Sequence, residues 1–176
     1  MNRTLGGDPL NIATYLFEDD GRMPNNPDLP AIHYAGAFRD DPLGAEAKLN
    51  RNNWRNSWVN GVFAYHHYHS NAHEALAVLK GSARLLIGGE NGQTLEVQAG
   101  DVLVLPAGTG HKKLGSSADF SVAGAYPDGM RYNTRTGEPG ERPQALEDIR
   151  RVPLPDRDPV FGEEGPLLTY WSRKRS

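Results

Sequence analysis

Residues 59–126 form the most regular part of the chain, because short apolar runs alternate there with glycine-containing turns. Apolar and polar positions alternate over 59–69 and 120–126, which is the period of a strand with one buried face. Only one of the thirteen prolines, Pro106, lies in this region. The pattern is typical of an all-β sandwich or barrel, with strands predicted at 59–69, 74–79, 84–87, 94–97, 102–105 and 120–126.

A β-hairpin is predicted over 84–97. The apolar strands 84–87 and 94–97 flank the segment Gly88-Gly89-Glu90-Asn91-Gly92-Gln93. Its Asn91-Gly92 step supplies the residues that most readily adopt the positive φ of a tight hairpin turn. We therefore expect these two strands to pair antiparallel.

Two flanks surround the regular region and carry all but one of the prolines. They predict short helices at 45–49 and 142–151, outer strands at 15–17 and 31–34, and an edge strand at 167–171. We predict one structural domain in three parts. These are an irregular N-terminal flank (1–58), a β-barrel core (59–126) and a C-terminal flank that packs on the barrel (127–176).

The composition narrows the classes of partner and cofactor. With 176 residues, 38% hydrophobic and 23% charged, the chain has the size and apolar content of one globular domain. Its formal net charge of −3 argues against nucleic acid or an anionic membrane as partner, because phosphate binding needs uncompensated Lys and Arg. The absence of cysteine excludes disulfides, thiolate metal sites and cysteine nucleophiles. A bound metal must therefore take nitrogen and oxygen ligands.

The sequence has no apolar run of membrane-spanning length. Its first residues also lack the apolar stretch of a secretory signal. A cytoplasmic location is the expectation that follows.

Four residues have the chemistry and spacing of a metal site. His67 and His69 are two positions apart on a predicted strand, so both imidazoles point to one face about 6.7 Å apart along the backbone. Glu74 begins the next predicted strand and supplies a carboxylate that compensates the charge of a divalent cation. His111 follows the bend at 106–110 and adds a third imidazole. The predicted metal ligands are therefore His67, His69, Glu74 and His111.

The same residues resemble the two sequence motifs of the cupin family. His67-Tyr68-His69, four residues, Glu74, six residues and Gly81 resemble the first motif. Gly100, five residues, Pro106-Ala107-Gly108, two residues and His111 resemble the second, although the Asn often found four residues after the last histidine is Gly115 here. The wider stretch 65–129 is similar to the small bacterial YjlB-like cupins. The resemblance implies a double-stranded β-helix, or jelly-roll barrel, with short flanking helices and a metal ion inside it.

Neighbouring residues have competing interpretations. Strand alternation puts His66 and His73 on the opposite face, in surface or outer-sheet positions, although His73 is the one serious rival to Glu74. His33 is expected to be a hydrogen-bonded structural histidine. Phe63 and Tyr65 share the face of the ligands, which predicts core packing for Phe63 and either packing or a substrate contact for Tyr65. The tryptophans are interpreted as packing residues: Trp54, Trp58 and Trp171.

Three imidazoles and one carboxylate suit one divalent transition metal ion per chain, and Fe, Mn, Ni, Co, Cu and Zn all remain open. Three functions are compatible with such a site. The first is a metal-dependent oxidoreductase of the dioxygenase type acting on a small molecule. The second is a metal-dependent isomerase or epimerase of a sugar or carbonyl compound, and the third is a non-enzymatic small-molecule binding protein. A homodimer is also predicted, with residues 15–17 offering an edge strand to a partner.

Overall fold

The computed structural model describes residues 2–5 and 8–172, with side chains described from residue 11 onward. In these residues the chain forms short α-helices, which are α1 (Ala45–Arg51), α2 (Gln144–Arg151) and α3 (Pro166–Tyr170). Most of the regular structure is β-strand: β1 (Asn2–Leu5), β2 (Asp8–Tyr15), β3 (Ala31–Ala35), β4 (Trp54–Asn60), β5 (Glu74–Lys80), β6 (Ser82–Ile87), β7 (Gln93–Gln98), β8 (Val102–Leu105), β9 (His111–Ser116) and β10 (Ser121–Pro127).

The strands form two antiparallel sheets. The larger has the order β1-β2-β3-β8-β5-β10-β4, and the smaller has the order β7-β6-β9. Apolar side chains of both sheets meet in one core, where Leu76 and Val78 of β5 pack with Leu85 and Ile87 of β6. This arrangement confirms the all-β prediction with short flanking helices. No helix among the described residues is long and apolar enough to cross a membrane.

Strand β5 is buried on both faces, which explains its nearly continuous apolar sequence. Leu76 and Val78 point into the core between the sheets. Ala75, Ala77 and Leu79 point the other way, into a second core. This second core is closed by the flanks and includes Tyr34, Leu49, Trp54, Leu167 and Trp171. Because side chains alternate along a strand, Glu74 shares the inward face of Leu76 and Val78.

Several predicted elements are confirmed. The helices predicted at 45–49 and 142–151 correspond to α1 and α2. The hairpin pairs Ile87 with Gln93. Its positive φ angles, however, fall at Gly88 (92°) and Gly89 (85°) and not at the Asn-Gly step. A Cβ atom on Gly88 would lie 2.5 Å from the ring of Phe17, so this turn requires glycine for space as well as for conformation.

The strand predicted at 59–69 is wrong beyond Asn60. Strand β4 ends there because Asn60 pairs with Val122, near the first residue of its partner β10. The chain from 61 to 73 is a loop that contacts β9 through the isolated bridge between His67 and His111. Extended loop segments alternate in side-chain direction like strands, so the sequence period alone could not show where the ladder ends.

Two predictions for the flanks are also wrong. Residues 167–171 do not form an edge strand, because they lie largely in helix α3, whose first residue Pro166 favours a helix start. Only Tyr15 of residues 15–17 is in a strand. That strand, β2, pairs with β1 over residues 8–11 and with β3 over residues 11–15, where Tyr15 is opposite Ala31.

Asp158 is the polar centre of the C-terminal flank. Its fully buried carboxylate accepts the N–H groups of Val160 and Phe161 on Oδ1, at 2.7 and 3.0 Å. On Oδ2 it accepts the N–H of Leu167 at 3.1 Å and the hydroxyl of Tyr34 at 2.8 Å. One side chain therefore ties the start of α3 to strand β3.

We expect Asp158→Ala to lower the free energy of unfolding by about 3 kcal/mol, because several buried donors lose their acceptor. Urea denaturation followed by circular dichroism measures this loss. Asp156→Ala, at an exposed position two residues earlier, is the matched control and should change little. Equal unfolding midpoints for the two variants would contradict the assigned role of Asp158.

Candidate metal centre

The four predicted ligands line one cavity of about 420 Å³. It lies inside the barrel, between the inward face of β5 and the loop 61–69. His67, His69, Glu74 and His111 all contribute to its wall. The side chains of all four are buried, and they come from two separated parts of the chain, residues 67–74 and His111.

Backbone pairing holds His67 against His111. The N–H of His67 donates to the carbonyl of His111 at 3.1 Å, and the N–H of His111 donates to the carbonyl of His67 at 2.9 Å. Their rings are 4.0 Å apart between centroids. Each ring is also hydrogen-bonded to a carbonyl two residues earlier in the chain, His67 Nδ1 to Tyr65 and His111 Nδ1 to Thr109, both at 3.0 Å.

His69 is positioned by the bend at 106–110 and by the C-terminal flank. Its carbonyl accepts the N–H of Gly108 at 2.8 Å. A Cβ atom on Gly108, whose φ is 93°, would lie 2.5 Å from the carbonyl oxygen of Asn25, so the bend requires glycine. The Nδ1 atom of His69 is hydrogen-bonded to the carbonyl of Asn133, and the side chain of Asn133 accepts the N–H of Ser70 at 2.9 Å. The flank thus reaches directly to a predicted ligand.

Glu74 is held by a chain of two hydrogen bonds. The indole of Trp58 donates to the hydroxyl of Tyr126 at 2.8 Å, and that hydroxyl donates to Oε2 of Glu74 at 2.7 Å. Gly124 makes this possible, because a Cβ atom there would lie 2.3 Å from the Trp58 ring. These hydrogen bonds occupy Oε2 of the carboxylate, and Oε1 is turned toward the histidines.

The hydrogen bonds define which histidine nitrogens carry protons. A carbonyl oxygen only accepts, so the Nδ1 atoms of all three histidines are the donors. In the neutral imidazole the Nε2 atom then has a free lone pair. Oε1 of Glu74 lies 3.4 Å from Nε2 of both His69 and His111. The three histidines offer ring nitrogens within 4.8 Å of one another.

The electrostatics of the cluster depend on burial and on Glu74. Burial, together with the nearby His111, lowers the pKa of His67 to about 3, so this imidazole is neutral near pH 7. Burial by itself lowers the pKa of His69, but the negative charge of Glu74 raises that pKa overall. Burial raises the pKa of Glu74, yet His69 and His111 hold it well below its usual range. The carboxylate therefore stays ionised and draws positive charge into the cluster.

The other histidines lie outside the cavity wall. His66 is bonded through Nε2 to Glu90 at 2.6 Å. His33 is a structural histidine as predicted, with Nε2 3.1 Å from Asp101. His73 points away from the cavity, as predicted, but it is buried in the outer core and not at the surface: it packs against Trp171 and accepts the N–H of Ala107 on Nδ1 at 2.9 Å. Its ring is held in the structural core under the C-terminal flank.

The interior positions predicted for Phe63 and Tyr65 are wrong. Phe63 is 52% exposed and Tyr65 is 49% exposed, and their rings stack with centroids 4.9 Å apart. Both lie on the loop after β4, where strand alternation no longer applies. Phe63 lines the opening of the cavity, whereas Tyr65 packs on its outer side and is not part of the wall. A substrate contact by Tyr65 stays a prediction, without the buried hydroxyl on which it depended.

Sequence reasoning missed the residues that surround the ligands. Tyr126 shares the inward face of β10 with Val122, and this alternation was visible in the sequence. Trp58 was interpreted only as packing, but it also lines the cavity. No local pattern could have indicated Asn133, because its backbone carbonyl acts through a contact 64 residues away from His69.

Comparison with known proteins identifies the class. The profile of the Cupin domain matches residues 58–114, the part that contains all four predicted ligands. The uncharacterized protein YjlB of Bacillus subtilis (strain 168) is 50% identical over 158 residues, which cover 90% of this chain and 95% of that protein. The fold is thus that of a cupin. The chain belongs to the family of YjlB-like cupins.

Solved structures show a more distant likeness. An uncharacterized protein with a double-stranded β-helix domain from Klebsiella pneumoniae subsp. pneumoniae is 16% identical, with 77% of this chain and 90% of that chain covered and a TM-score of 0.38. Acireductone dioxygenase from Bacillus anthracis, with a cadmium ion in its active center, is 18% identical with a TM-score of 0.36. There the alignment covers 54% of this chain and 61% of that chain. Neither likeness carries an argument about function.

Proposed function

We propose that this cupin binds one divalent transition metal ion through His67, His69, Glu74 and His111. The observation that carries the proposal is the convergence of lone pairs on one buried point. Oε1 of Glu74 accepts no hydrogen bond from the described residues, and it faces histidine nitrogens whose protons are committed to Nδ1. Buried acceptors without a donor are unfavourable, and a cation converts them into a favourable arrangement.

The distances fit a first-row transition metal. Two atoms that are each about 2.1 Å from one ion are about 3.0 Å apart at a right angle and about 3.4 Å apart at a tetrahedral angle. Oε1 of Glu74 lies 3.4 Å from both Nε2 atoms, so these three atoms can bind one ion at such bond lengths. The donor set of three imidazoles and one carboxylate suits Fe, Mn, Co, Ni, Cu or Zn.

The reaction we propose is a metal-dependent oxidation of a small molecule by dioxygen, in the manner of a dioxygenase. When bound, the ion would supply a place where substrate and dioxygen meet. The substrate supplies all four electrons that reduce O₂ and takes up both oxygen atoms, so no external reductant is needed. The protein contributes a largely apolar wall around the site, and Tyr126 holds the carboxylate of Glu74 in one orientation.

An isomerase or epimerase is less well supported by the cavity wall. Such a reaction needs a group that takes and returns a proton beside the metal. Tyr65, the residue expected to do so, does not line the cavity. The Tyr126 hydroxyl cannot take up a proton, because burial and Glu74 raise its pKa far above its usual range and keep it protonated. If no turnover is found, the expected function is binding of a small molecule without catalysis.

Substitution of each predicted ligand tests the metal site. His67→Ala, His69→Ala and His111→Ala should each reduce metal content to near zero, since each removes one of three imidazoles. Glu74→Ala should lower the affinity by about tenfold to a hundredfold, because water can replace a carboxylate oxygen. Metal per chain, measured by elemental analysis after dialysis against a weak chelator, gives the result.

Two histidines outside the wall are the matched controls for this series. His66→Ala and His33→Ala should keep the metal content of the unaltered protein. His73→Ala should also keep the ion when folded, but with reduced stability, because His73 is part of the core. Loss of metal in His73→Ala together with unchanged metal in Glu74→Ala would mean that four histidines form the site.

Tyr126→Phe tests whether the hydroxyl positions Glu74. Its removal frees Oε2, so we expect a decrease in Mn(II) affinity of about tenfold and a changed zero-field splitting in the Mn(II) EPR spectrum. Tyr34→Phe is the matched control, because it removes a buried hydroxyl bonded to Asp158 far from the cavity. It should reduce stability without changing Mn(II) affinity. An unaltered EPR spectrum and affinity in Tyr126→Phe would exclude the positioning role.

Oxygen consumption tests the reaction class. Protein loaded anaerobically with Fe(II) should consume O₂ when incubated with its substrate from a library of small aromatic and carbonyl compounds, and ¹⁸O₂ should label the product with both atoms. The His111→Ala variant is the control without metal. Turnover of a compound under strict anaerobiosis would favour the isomerase, and stable binding without turnover in either atmosphere would favour a binding protein.

The homodimer and the cytoplasmic location stay predictions. Of the edge strand predicted at 15–17, only Tyr15 is part of a strand, and it pairs with Ala31 of β3.

A further inference from the structure

The cavity wall above the predicted ligands is apolar and aromatic. Half of the residues that line it are large apolar or aromatic residues: Trp58, Val59, Val62, Phe63, Leu76, Tyr126 and Tyr132. Asn60 and Thr134 are the polar groups that accompany them. A wall of this kind removes apolar surface of a ligand from water and leaves few hydrogen bonds to fix its orientation.

The wall also lacks positive charge. Among the described residues that line the cavity there is no Lys or Arg, and Glu74 is the one carboxylate. A divalent ion, one carboxylate and three neutral imidazoles sum to a net charge of +1. Proteins usually bind dicarboxylates and phosphates with Arg or Lys, which pair with each anionic group. This site could balance one negative charge on a ligand but not two.

Two aromatic rings stand at the opening, each against a predicted metal ligand. Phe63 lies edge-on to His67, with centroids 5.0 Å apart. Tyr132 lies edge-on to His69, at 5.2 Å, and stacks on Tyr126 at 4.2 Å. Both rings are open to solvent, 52% for Phe63 and 39% for Tyr132. Exposed rings beside a metal-binding cluster are surfaces on which a flat ligand can stack.

The cavity limits the size of the ligand. Its volume of about 420 Å³ corresponds to about 14 heavy atoms if each takes the roughly 30 Å³ of a water molecule. That is the size of a compound with one or two rings and a few substituents.

We propose that the cavity takes a compound of one or two planar aromatic rings, carrying at most one negative charge, whose oxygen donor reaches the metal. The inference rests on the proposed function, because the oxygen donor needs the ion. Phe63 and Tyr132 are the two residues that select this class of substrate. The oxygen would be a phenolic, enolic or carbonyl oxygen, since these bind a metal without adding a second charge.

Four hydroxamic acids with the same metal-binding head test the proposal. Zn(II)-loaded protein is titrated by calorimetry with benzohydroxamic, cyclohexanecarbohydroxamic and acetohydroxamic acids and with the monohydroxamic acid of succinic acid. We expect benzohydroxamic acid to bind about tenfold more tightly than acetohydroxamic acid, and more tightly than the saturated ring. The succinic derivative, which adds a carboxylate, should bind no better than acetohydroxamic acid.

Variants assign the selectivity to the two rings. Phe63→Ala and Tyr132→Ala should each reduce the affinity for benzohydroxamic acid severalfold and leave the affinity for acetohydroxamic acid and the zinc content unchanged. Leu43→Ala removes an exposed apolar side chain that does not line the cavity and should change none of these values.

The outcomes separate this inference from the proposed function. If the protein holds zinc and acetohydroxamic acid binds, but the aromatic acid has no advantage or the succinic acid binds best, the substrate class is overturned and the metal site stands. Equal affinities for benzohydroxamic and cyclohexanecarbohydroxamic acids would overturn the preference for a planar ring. A protein that retains no zinc overturns the proposed function, and this inference with it.

Discussion

The fully buried carboxylate of Glu74 is the interaction on which the arrangement of the site depends. Taking an ionised carboxylate out of water costs several kcal/mol unless each oxygen finds a partner. Tyr126, itself held by Trp58, satisfies one oxygen. The second oxygen faces the ring nitrogens of His69 and His111. The fold thus buries a charge in the barrel and surrounds it with groups whose remaining lone pairs require a positive partner.

Backbone carbonyls make this arrangement rigid. Each histidine is fixed at Nδ1 by a carbonyl, and these carbonyls belong to the loop after β4, to the bend before β9 and to the C-terminal flank. A carbonyl leaves no choice of tautomer, so the orientation of each ring follows from the path of the main chain. An ion bound here joins three regions that are distant in sequence. Binding it must therefore stabilise the folded state against separation of those regions.

The sequence was sufficient to predict that the four candidate ligands lie together and to predict most of the barrel, but not to predict the environment of the site. Glu74 and His111 could be predicted because apolar runs locate β5 and β8, and the turns beside them locate the two residues. His67 and His69 were found through a strand that ends at Asn60, so the alternation argument gave a useful answer from an incorrect local structure. The same argument failed for Phe63 and Tyr65, because it cannot show what packs against a loop; for His73 it gave the correct face but not the burial under the C-terminal flank. Contacts between distant segments, such as Asn133 with His69, have no local signal.

A proton and a metal ion compete for the same position in this cluster. Glu74 raises the pKa of His69, and the added proton can lie only on Nε2, because Nδ1 already donates to Asn133. Protonation would relieve the buried charge of Glu74 in the protein without metal, and it would do so at the atom that a metal must bind. His67, whose pKa is lowered to about 3, offers no such alternative and keeps its lone pair available.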